Sequence, residues 1–206
     1  MELIVYLLLI LTSTVGLAFI IERAFALRWR RIVPAAVEAA VQSCQTPEDI
    51  PMLRRVCQQH NSVISRLLLL AADHLDWPKT EAVDAIQTRA RHEILRLERG
   101  LVVLEIIVGI APLLGLVGTI LGMMSVFADV GQTGLTDAGK LAQGIALILR
   151  ATLFGLMIAI PSLIFWSYYT KKVESFAIEM ETICEEFIRR QYREEVAGAV
   201  SKSTPL

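Results

Sequence analysis

The longest apolar stretches of this sequence contain no side chain that titrates near neutral pH. Residues 3–21, 106–128 and 141–170 have no Asp, Glu or His, and Arg150 is their single charged residue. Each stretch is long enough to cross the hydrocarbon of a bilayer as a helix, for which about 20 apolar residues suffice. If this chain takes part in proton movement, the group that binds the proton must therefore come from another chain.

Catalytic and metal-binding patterns are also missing from the sequence. There is no nucleophile elbow, phosphate-binding loop or zinc-ligand spacing, and the three histidines are isolated from one another. The three cysteines have no ligand spacing, and their odd number argues against a disulfide framework. The net charge is −1 and no basic tail is present, so nothing indicates a nucleic-acid partner. We predict a protein that is not an enzyme and that binds no metal or cofactor.

What the sequence does contain is a strong segregation of apolar and charged blocks. Hydrophobic residues make up 54% of the 206 residues and charged residues 20%. This pattern predicts an all-α membrane protein with a sizeable part in water. We expect transmembrane helices over residues 1–27, 101–128 and 138–170, cytoplasmic segments over 28–100 and 171–206, and a short periplasmic turn over 129–137.

The positive charges predict the orientation of these spans. Lys and Arg residues lie beside the inner ends of all three, at 23–31, 89–99 and 171–172. An N-out, C-in topology satisfies the positive-inside rule at each boundary. The chain is accordingly predicted to be a multi-pass membrane protein.

Amphipathic periodicity extends two of the spans into the cytoplasmic segments. Apolar residues from Val83 to Leu104 recur every three or four positions, with Gly100 as a single tolerated glycine. We therefore predict one continuous helix from residue 79 to 128. A second amphipathic pattern follows Lys172 and extends the third span in the same way.

Small residues form a stripe on the second and third spans. Such stripes let helices approach closely in lipid, where no hydrophobic drive brings helices together. On the second span the stripe is predicted to hold Ala111, Gly115, Gly118 and Gly122, and on the third Gly144, Ala151, Gly155 and Ala159. Pro112 and Pro161 are predicted to kink these helices.

Three polar residues within the spans each allow two readings. Arg150 is either a charge that lines an ion path or pairs with a partner's carboxylate, or an arginine that reaches the interface or a lipid phosphate. Thr119 and Thr152 carry hydroxyls that can hold water or hydrogen-bond a carboxylate, but membrane threonines also bond back to their own helix.

Two separated motifs resemble those of the MotA/TolQ/ExbB proton channel family. The first is PLLGLVGT at residues 112–119 followed by Gly122, Met123, Met124 and Phe127; the second combines Gly144, Ala151, Thr152, Gly155 and Pro161. The three-span topology is like that of ExbB and TolQ. At a position where those relatives commonly carry a glutamate, this sequence has Leu147.

The resemblance implies a homopentamer whose second and third spans line a central pore. Two copies of a single-span protein similar to ExbD, TolR or MotB would occupy that pore, and a third protein similar to TonB or TolA would receive the work. Thr119 and Thr152 correspond to the family's pore-facing threonines, and we expect Arg150 to face the pore as well. The function implied is a stator-type subunit of the bacterial inner membrane that passes protons down the proton motive force. A non-conducting membrane scaffold and a sodium-driven, MotA-like stator are the alternatives.

Overall fold

The computed structural model describes residues 2–133 and 138–202, and this part of the chain is helical with no strand. A 3₁₀ turn at Pro47–Asp49 lies between α3 and α4. The α-helices are α1 (Glu2–Ala26), α2 (Trp29–Ile32), α3 (Ala35–Ser43), α4 (Ile50–Gln59), α5 (Val63–Asp73), α6 (Lys79–Glu98), α7 (Leu101–Thr133) and α8 (Ala138–Lys202).

Three of these helices are long and apolar enough to cross a membrane. The qualifying segments are Leu3–Ala26 in α1, Leu101–Ala128 in α7 and Ala142–Arg193 in α8, the last of which continues past the apolar residues. At most a third of the residues in the apolar 18-residue stretch of each helix are buried within the chain. The prediction of an all-helical protein with three apolar helices is confirmed.

The chain divides into two compact units. The first, which we call the membrane unit, comprises Met1–Ala24 and Arg99–Thr170. It contains most of α1, all of α7 and the first half of α8. The second, which we call the polar unit, comprises Phe25–Glu98 and Lys171–Leu206.

Within the membrane unit, α1 runs parallel to the first half of α8. The Tyr6 and Phe154 rings meet edge to face with centroids 6.3 Å apart. Near the other end of α1, the Tyr169 hydroxyl donates a hydrogen bond to the Ile20 carbonyl at 3.0 Å. Residue numbers rise in the same direction along both helices, so the helices are parallel. The two contacts also show which turn of α1 lies beside which turn of α8.

The polar unit has a conventional hydrophobic core. Helix α5 begins at a true N-cap, since the Ser62 hydroxyl accepts a hydrogen bond from the Ser65 N–H at 3.2 Å. Its apolar face is fully buried and includes Ile64, Leu67 and Leu68. Met180 and Phe187 of α8 are buried in the same unit. The amphipathic segments predicted from the sequence thus supply this core.

The predicted continuous helix over residues 79–128 is wrong. Helix α6 ends at Glu98 and α7 begins at Leu101, with a turn at Arg99 and Gly100. Glycine lowers helix stability by roughly 1 kcal/mol relative to alanine, which favours a break at this position. Gly100 is also buried against the guanidinium group of Arg23, which fills the space that a side chain would need.

The first residues of the turn predicted over residues 129–137 belong to α7. Helix α7 continues to Thr133 and α8 begins at Ala138, while residues 134–137 lie outside the described part. Residues 129–133 extend the helix, since a single glycine among them, Gly131, is not enough to end it.

Candidate helix-packing and ion-path site

Helices α7 and α8 touch backbone to backbone at two glycines. A Cβ placed on Gly155 would lie 2.6 Å from the Ala111 carbonyl oxygen, and one on Gly115 would lie 2.9 Å from the Thr152 Cα. Neither neighbour is the mobile end of a side chain, so neither can move aside cheaply. Both positions therefore require glycine for this close approach.

The same contact continues toward the connection between the two helices. A Cβ on Gly122 would lie 2.6 Å from Ile148 Cγ1, and one on Gly144 would lie 2.9 Å from Val126 Cγ2. Residue numbers fall along α8 as they rise along α7, so the helices are antiparallel. The predicted small-residue stripes of the two helices thus lie against one another along much of their length.

Gly118 lies where α1 joins this helix pair. A Cβ on Gly118 would lie 2.7 Å from the Ala151 Cβ and 3.2 Å from Val5 Cγ1 of α1. Ala151 is itself buried, as are Ala111 and Ala159. The small residues therefore bring three helices together and not only two.

The two threonines occupy different positions in the structure. The Thr152 hydroxyl donates a hydrogen bond across the helix pair to the Gly115 carbonyl at 3.3 Å. The Thr119 hydroxyl donates to the Leu116 carbonyl of its own helix at 2.7 Å. Gly115, which accepts the bond from Thr152, lies four residues before Thr119 on α7, which is about one helical turn. The Thr152 hydroxyl therefore contacts α7 one turn away from Thr119.

Arg150 does not share a face with Thr152. Residues two positions apart on an α-helix point about 160° from one another, since each residue advances the helix by about 100°. The Thr152 face contacts α7, whereas the Arg150 side chain is exposed. Within the described part of the chain, no residue forms an ion pair or hydrogen bond with Arg150. The three predicted ion-path residues are thus not brought together.

Pro112 and Pro161 both lie inside helices, α7 and α8 respectively. Their kinks stay a prediction. Leu147 lies in α8, but its side chain is outside the described part.

A buried carboxylate in the polar unit was missed by the sequence reasoning. The Glu93 side chain is 1% exposed and accepts hydrogen bonds from Arg66, at 3.1 Å to Oε1 and 2.6 Å to Oε2. Arg89 and Arg96 lie 3.2 Å and 3.6 Å from Oε1. A sequence signal exists, because Glu93 follows the buried Ile86 by seven residues and so lies on the same helical face.

These arginines set the protonation state of Glu93. The hydrogen bonds from Arg66 hold the pKa of the Glu93 carboxyl below its usual range. Burial opposes this effect, and the charges of Arg66, Arg89 and Arg96 reinforce it. Glu93 is therefore an ionised anchor between α5 and α6, and its low pKa makes it unsuited to carry protons near neutral pH.

The part of the chain that contains these contacts matches a known protein family. Residues 58–182 match the model of a family described as the MotA/TolQ/ExbB proton channel family. This match includes α6, α7 and the part of α8 that holds the glycine contacts.

Individual relatives agree with the family match. The biopolymer transport protein ExbB of Aquifex aeolicus is 31% identical over 105 residues, which are 51% of this chain and 70% of that protein. ExbB of Helicobacter pylori strain J99 is 42% identical over 78 residues, 38% of this chain and 54% of that protein. An ExbB-like biopolymer transport protein of Synechocystis is 30% identical over 196 residues, which cover 86% of this chain and 74% of that protein.

Proposed function

Since the chain belongs to the MotA/TolQ/ExbB proton channel family, we propose that it is a stator-type subunit of an ion-driven energiser. It passes protons down the proton motive force together with a single-span partner similar to ExbD or TolR. The work drives a biopolymer-transport or Tol-type system through a third protein similar to TonB or TolA. The observation that carries the proposal is the family match across a glycine-lined contact between two membrane helices.

The proton-binding group is supplied by the partner. The apolar stretches 3–21, 106–128 and 141–170 contain no Asp, Glu or His, and the buried Glu93 lies in the polar unit. A carboxylic acid on the partner's span would take up a proton on one side of the membrane and release it on the other. This chain supplies the walls of the path and the hydroxyl groups that meet the acid.

Thr152 is the residue of this chain that we assign to that meeting. Its hydroxyl holds a long bond of 3.3 Å to the Gly115 carbonyl, and its side chain is only partly buried. A hydroxyl that rotates away from this weak bond can donate to a carboxylate instead. Thr119 lies one turn away on α7 and is the second hydroxyl of the proposed path. Arg150 is left out of it because it points to a different side of α8.

The proposed assembly is a homopentamer in the bacterial inner membrane, N-out and C-in. Large apolar residues of α7 and α8 remain exposed on the single chain, including Met124, Phe127 and Leu149. Copies of the chain, the partner's span and lipid would cover these surfaces. The segments 28–100 and 171–206 would lie in the cytoplasm, in agreement with their Lys and Arg residues.

The decisive experiment measures ion flux in liposomes that contain this chain with its single-span partner. We expect an imposed proton gradient to collapse faster than in liposomes with either protein alone. Replacing H⁺ by Na⁺ as the driven ion distinguishes the sodium-driven alternative. Flux no faster than in the single-protein controls, from a complex shown to be assembled, would favour the non-conducting scaffold.

Thr152 offers the residue-level test of the same proposal. Thr152→Val keeps the shape of the side chain but removes the hydroxyl, so we expect flux to fall by about tenfold, the loss of one hydrogen bond to a charged group. Thr152→Ser keeps the hydroxyl and is expected to retain most of the flux. Equal flux from the Val and Ser variants would remove Thr152 from the path.

A further inference from the structure

We propose that Arg89 and Arg96 of α6 form a binding site for a phosphate group, with the buried Glu93 holding the two arginines together. The site lies in the polar unit, away from the residues of the proposed ion path. The inference therefore stands whether or not this chain conducts ions. Two sources supply such a group, a phospholipid headgroup and a free phosphate compound, and two experiments distinguish them.

The cluster around Glu93 carries more positive than negative charge. Arg66 alone balances the charge of Glu93, because it donates two hydrogen bonds to the carboxylate. The remaining Nη1 of Arg66 donates to the Asn61 side chain. Within residues 2–133 and 138–202, Glu93 is the only acid that forms an ion pair with Arg89 or Arg96. These two arginines therefore bring two positive charges that no further acid neutralises.

The N–H donors of the two arginines are available to a ligand. Arg89 Nη2 and Arg96 Nη1 lie 3.2 Å and 3.6 Å from Glu93 Oε1, as ion-pair contacts. Among the residues that the structure describes, neither guanidinium forms a hydrogen bond. The Arg89 and Arg96 side chains are 43% and 64% exposed, so an anion from solution can reach both. An anion that accepts their N–H groups gains charge-assisted hydrogen bonds.

The two guanidinium groups are close enough to share one phosphate. Their nearest nitrogens contact the same carboxylate oxygen, so these nitrogens are at most 6.8 Å apart, the sum of the two distances. A phosphate that accepts one N–H···O bond of about 2.8 Å on each side spans up to about 8 Å between the donors. Positions 89, 93 and 96 are four and three residues apart and so lie on one face of α6. The helix and Glu93 together keep the two arginines side by side.

The surplus charge selects phosphate over a carboxylate. A phosphate group carries between one and about two negative charges near neutral pH, and its several oxygens accept hydrogen bonds from both arginines at once. A guanidinium group matches the geometry of phosphate oxygens and stays charged at physiological pH. A carboxylate offers a single charge and two oxygens, so it would leave one positive charge of the pair unbalanced.

The position of the site along the chain makes a lipid source reasonable to test first. Arg96 precedes Leu101, the first residue of the apolar helix α7, by five residues. Five residues extend over at most about 18 Å. Phospholipid headgroups are therefore a nearby source of phosphate groups, and free phosphate compounds are the second.

Native mass spectrometry of the full chain in detergent, with added phosphatidylglycerol, tests the lipid source. We expect Arg89→Gln and Arg96→Gln each to weaken lipid retention by about tenfold, through the loss of a charge-assisted contact. Arg96→Lys should keep part of the retention because it keeps the charge. Arg91→Gln is the matched control, since Arg91 is exposed on the same helix but points to another face, and it should retain lipid as the wild type does.

Thermal unfolding of the same samples tests inorganic phosphate as the ligand. At constant ionic strength, exchanging chloride for phosphate should raise the Tm of wild type and Arg91→Gln, because a ligand of the folded state stabilises it. The rise should be smaller in Arg89→Gln and Arg96→Gln. Each shift is measured from the variant's own Tm in chloride, which distinguishes lost binding from lost folding.

The two measurements together decide the proposal. A loss confined to lipid retention assigns the site to a headgroup, and a loss confined to the phosphate-induced Tm shift assigns it to a free phosphate compound. If neither Arg89→Gln nor Arg96→Gln weakens either response more than Arg91→Gln does, the proposal is overturned. Unchanged responses with an altered number of subunits would also overturn it, and would indicate that the arginines contact an acidic protein surface instead.

Discussion

The Arg66 guanidinium donates two hydrogen bonds to the Glu93 carboxylate, from Nε to Oε1 at 3.1 Å and from Nη2 to Oε2 at 2.6 Å. Such paired bonds fix geometry as well as charge. The Arg66 Nη1 also donates to the Asn61 side chain at 3.0 Å, which ties the residues before α5 to the same group. These bonds fix the position of α5 relative to α6 within the polar unit.

Glu93→Gln should destabilise the polar unit. The substitution removes the single negative charge among three arginines while leaving the volume of the side chain unchanged. Removing one partner of a fully buried pair costs about 3–5 kcal/mol, and we expect about 2 kcal/mol here because the arginines still reach water. Thermal unfolding of the purified protein in detergent measures the effect. Glu81→Gln, an exposed acid of the same helix, is the control, and an equal shift from both variants would show that Glu93 is no anchor.

The stabilising effect of Glu93 should also depend on pH in a defined direction. Its pKa in the folded chain is lowered, chiefly by the hydrogen bonds from Arg66. The contribution is therefore fully present above the unfolded pKa of about 4.3 and is lost as pH falls through the lower folded value. The difference in Tm between wild type and Glu93→Gln should be constant from pH 6 to 8 and shrink below about pH 4. A difference that grows on acidification would contradict this assignment.

The sequence was informative where a pattern depends on one helix alone. Length and hydropathy predicted three apolar helices, and the spacing of Gly115, Gly118 and Gly122 placed them on one face. These inferences need only the period of the α-helix and the absence of charges. The motif at residues 112–119, on which the resemblance to the family was noted, lies within the residues that match the family model.

Features that depend on a second helix were harder to predict. The buried Glu93 was missed because its arginine partner Arg66 lies 27 residues earlier in the chain. The break at Gly100 involves Arg23, which is more distant still. In each case the missing information was the identity of the neighbouring helix, and one sequence does not contain it explicitly.

The three cysteines should resist alkylation in the folded protein. Cys44, Cys57 and Cys184 are free, and each is at most 3% exposed. Burial raises the pKa of the Cys57 thiol to about 11, so about one thiol in a thousand is ionised at pH 8. We expect no measurable modification by iodoacetamide in minutes at pH 8 by mass spectrometry. Complete modification should follow denaturation in urea, and rapid labelling of Cys57 without denaturant would show that the polar unit opens readily.

The glycine contact between α7 and α8 makes the most discriminating prediction for the membrane unit. Gly155→Ala would place a methyl group 2.6 Å from the Ala111 carbonyl oxygen, and backbone atoms of α7 would have to move to relieve the clash. Overpacking of this kind costs about 1–3 kcal/mol, so we expect a lower Tm in detergent and a lower yield of assembled complex. Flux through any complex that does assemble should fall too, because Gly115 and Thr152 lie in the same contact.

Gly109→Ala is the matched control for this substitution. Gly109 lies on the same helix as Gly115, but a Cβ added to it would meet no atom within 4 Å. Alanine is the better helix former by roughly 1 kcal/mol, so Gly109→Ala should leave the Tm unchanged or raise it slightly. Both substitutions add one methyl group, but only the methyl group at residue 155 would clash with backbone atoms of the neighbouring helix. If both lowered the Tm equally, the cost would come from glycine replacement in general, and close packing of α7 against α8 would not be needed for stability.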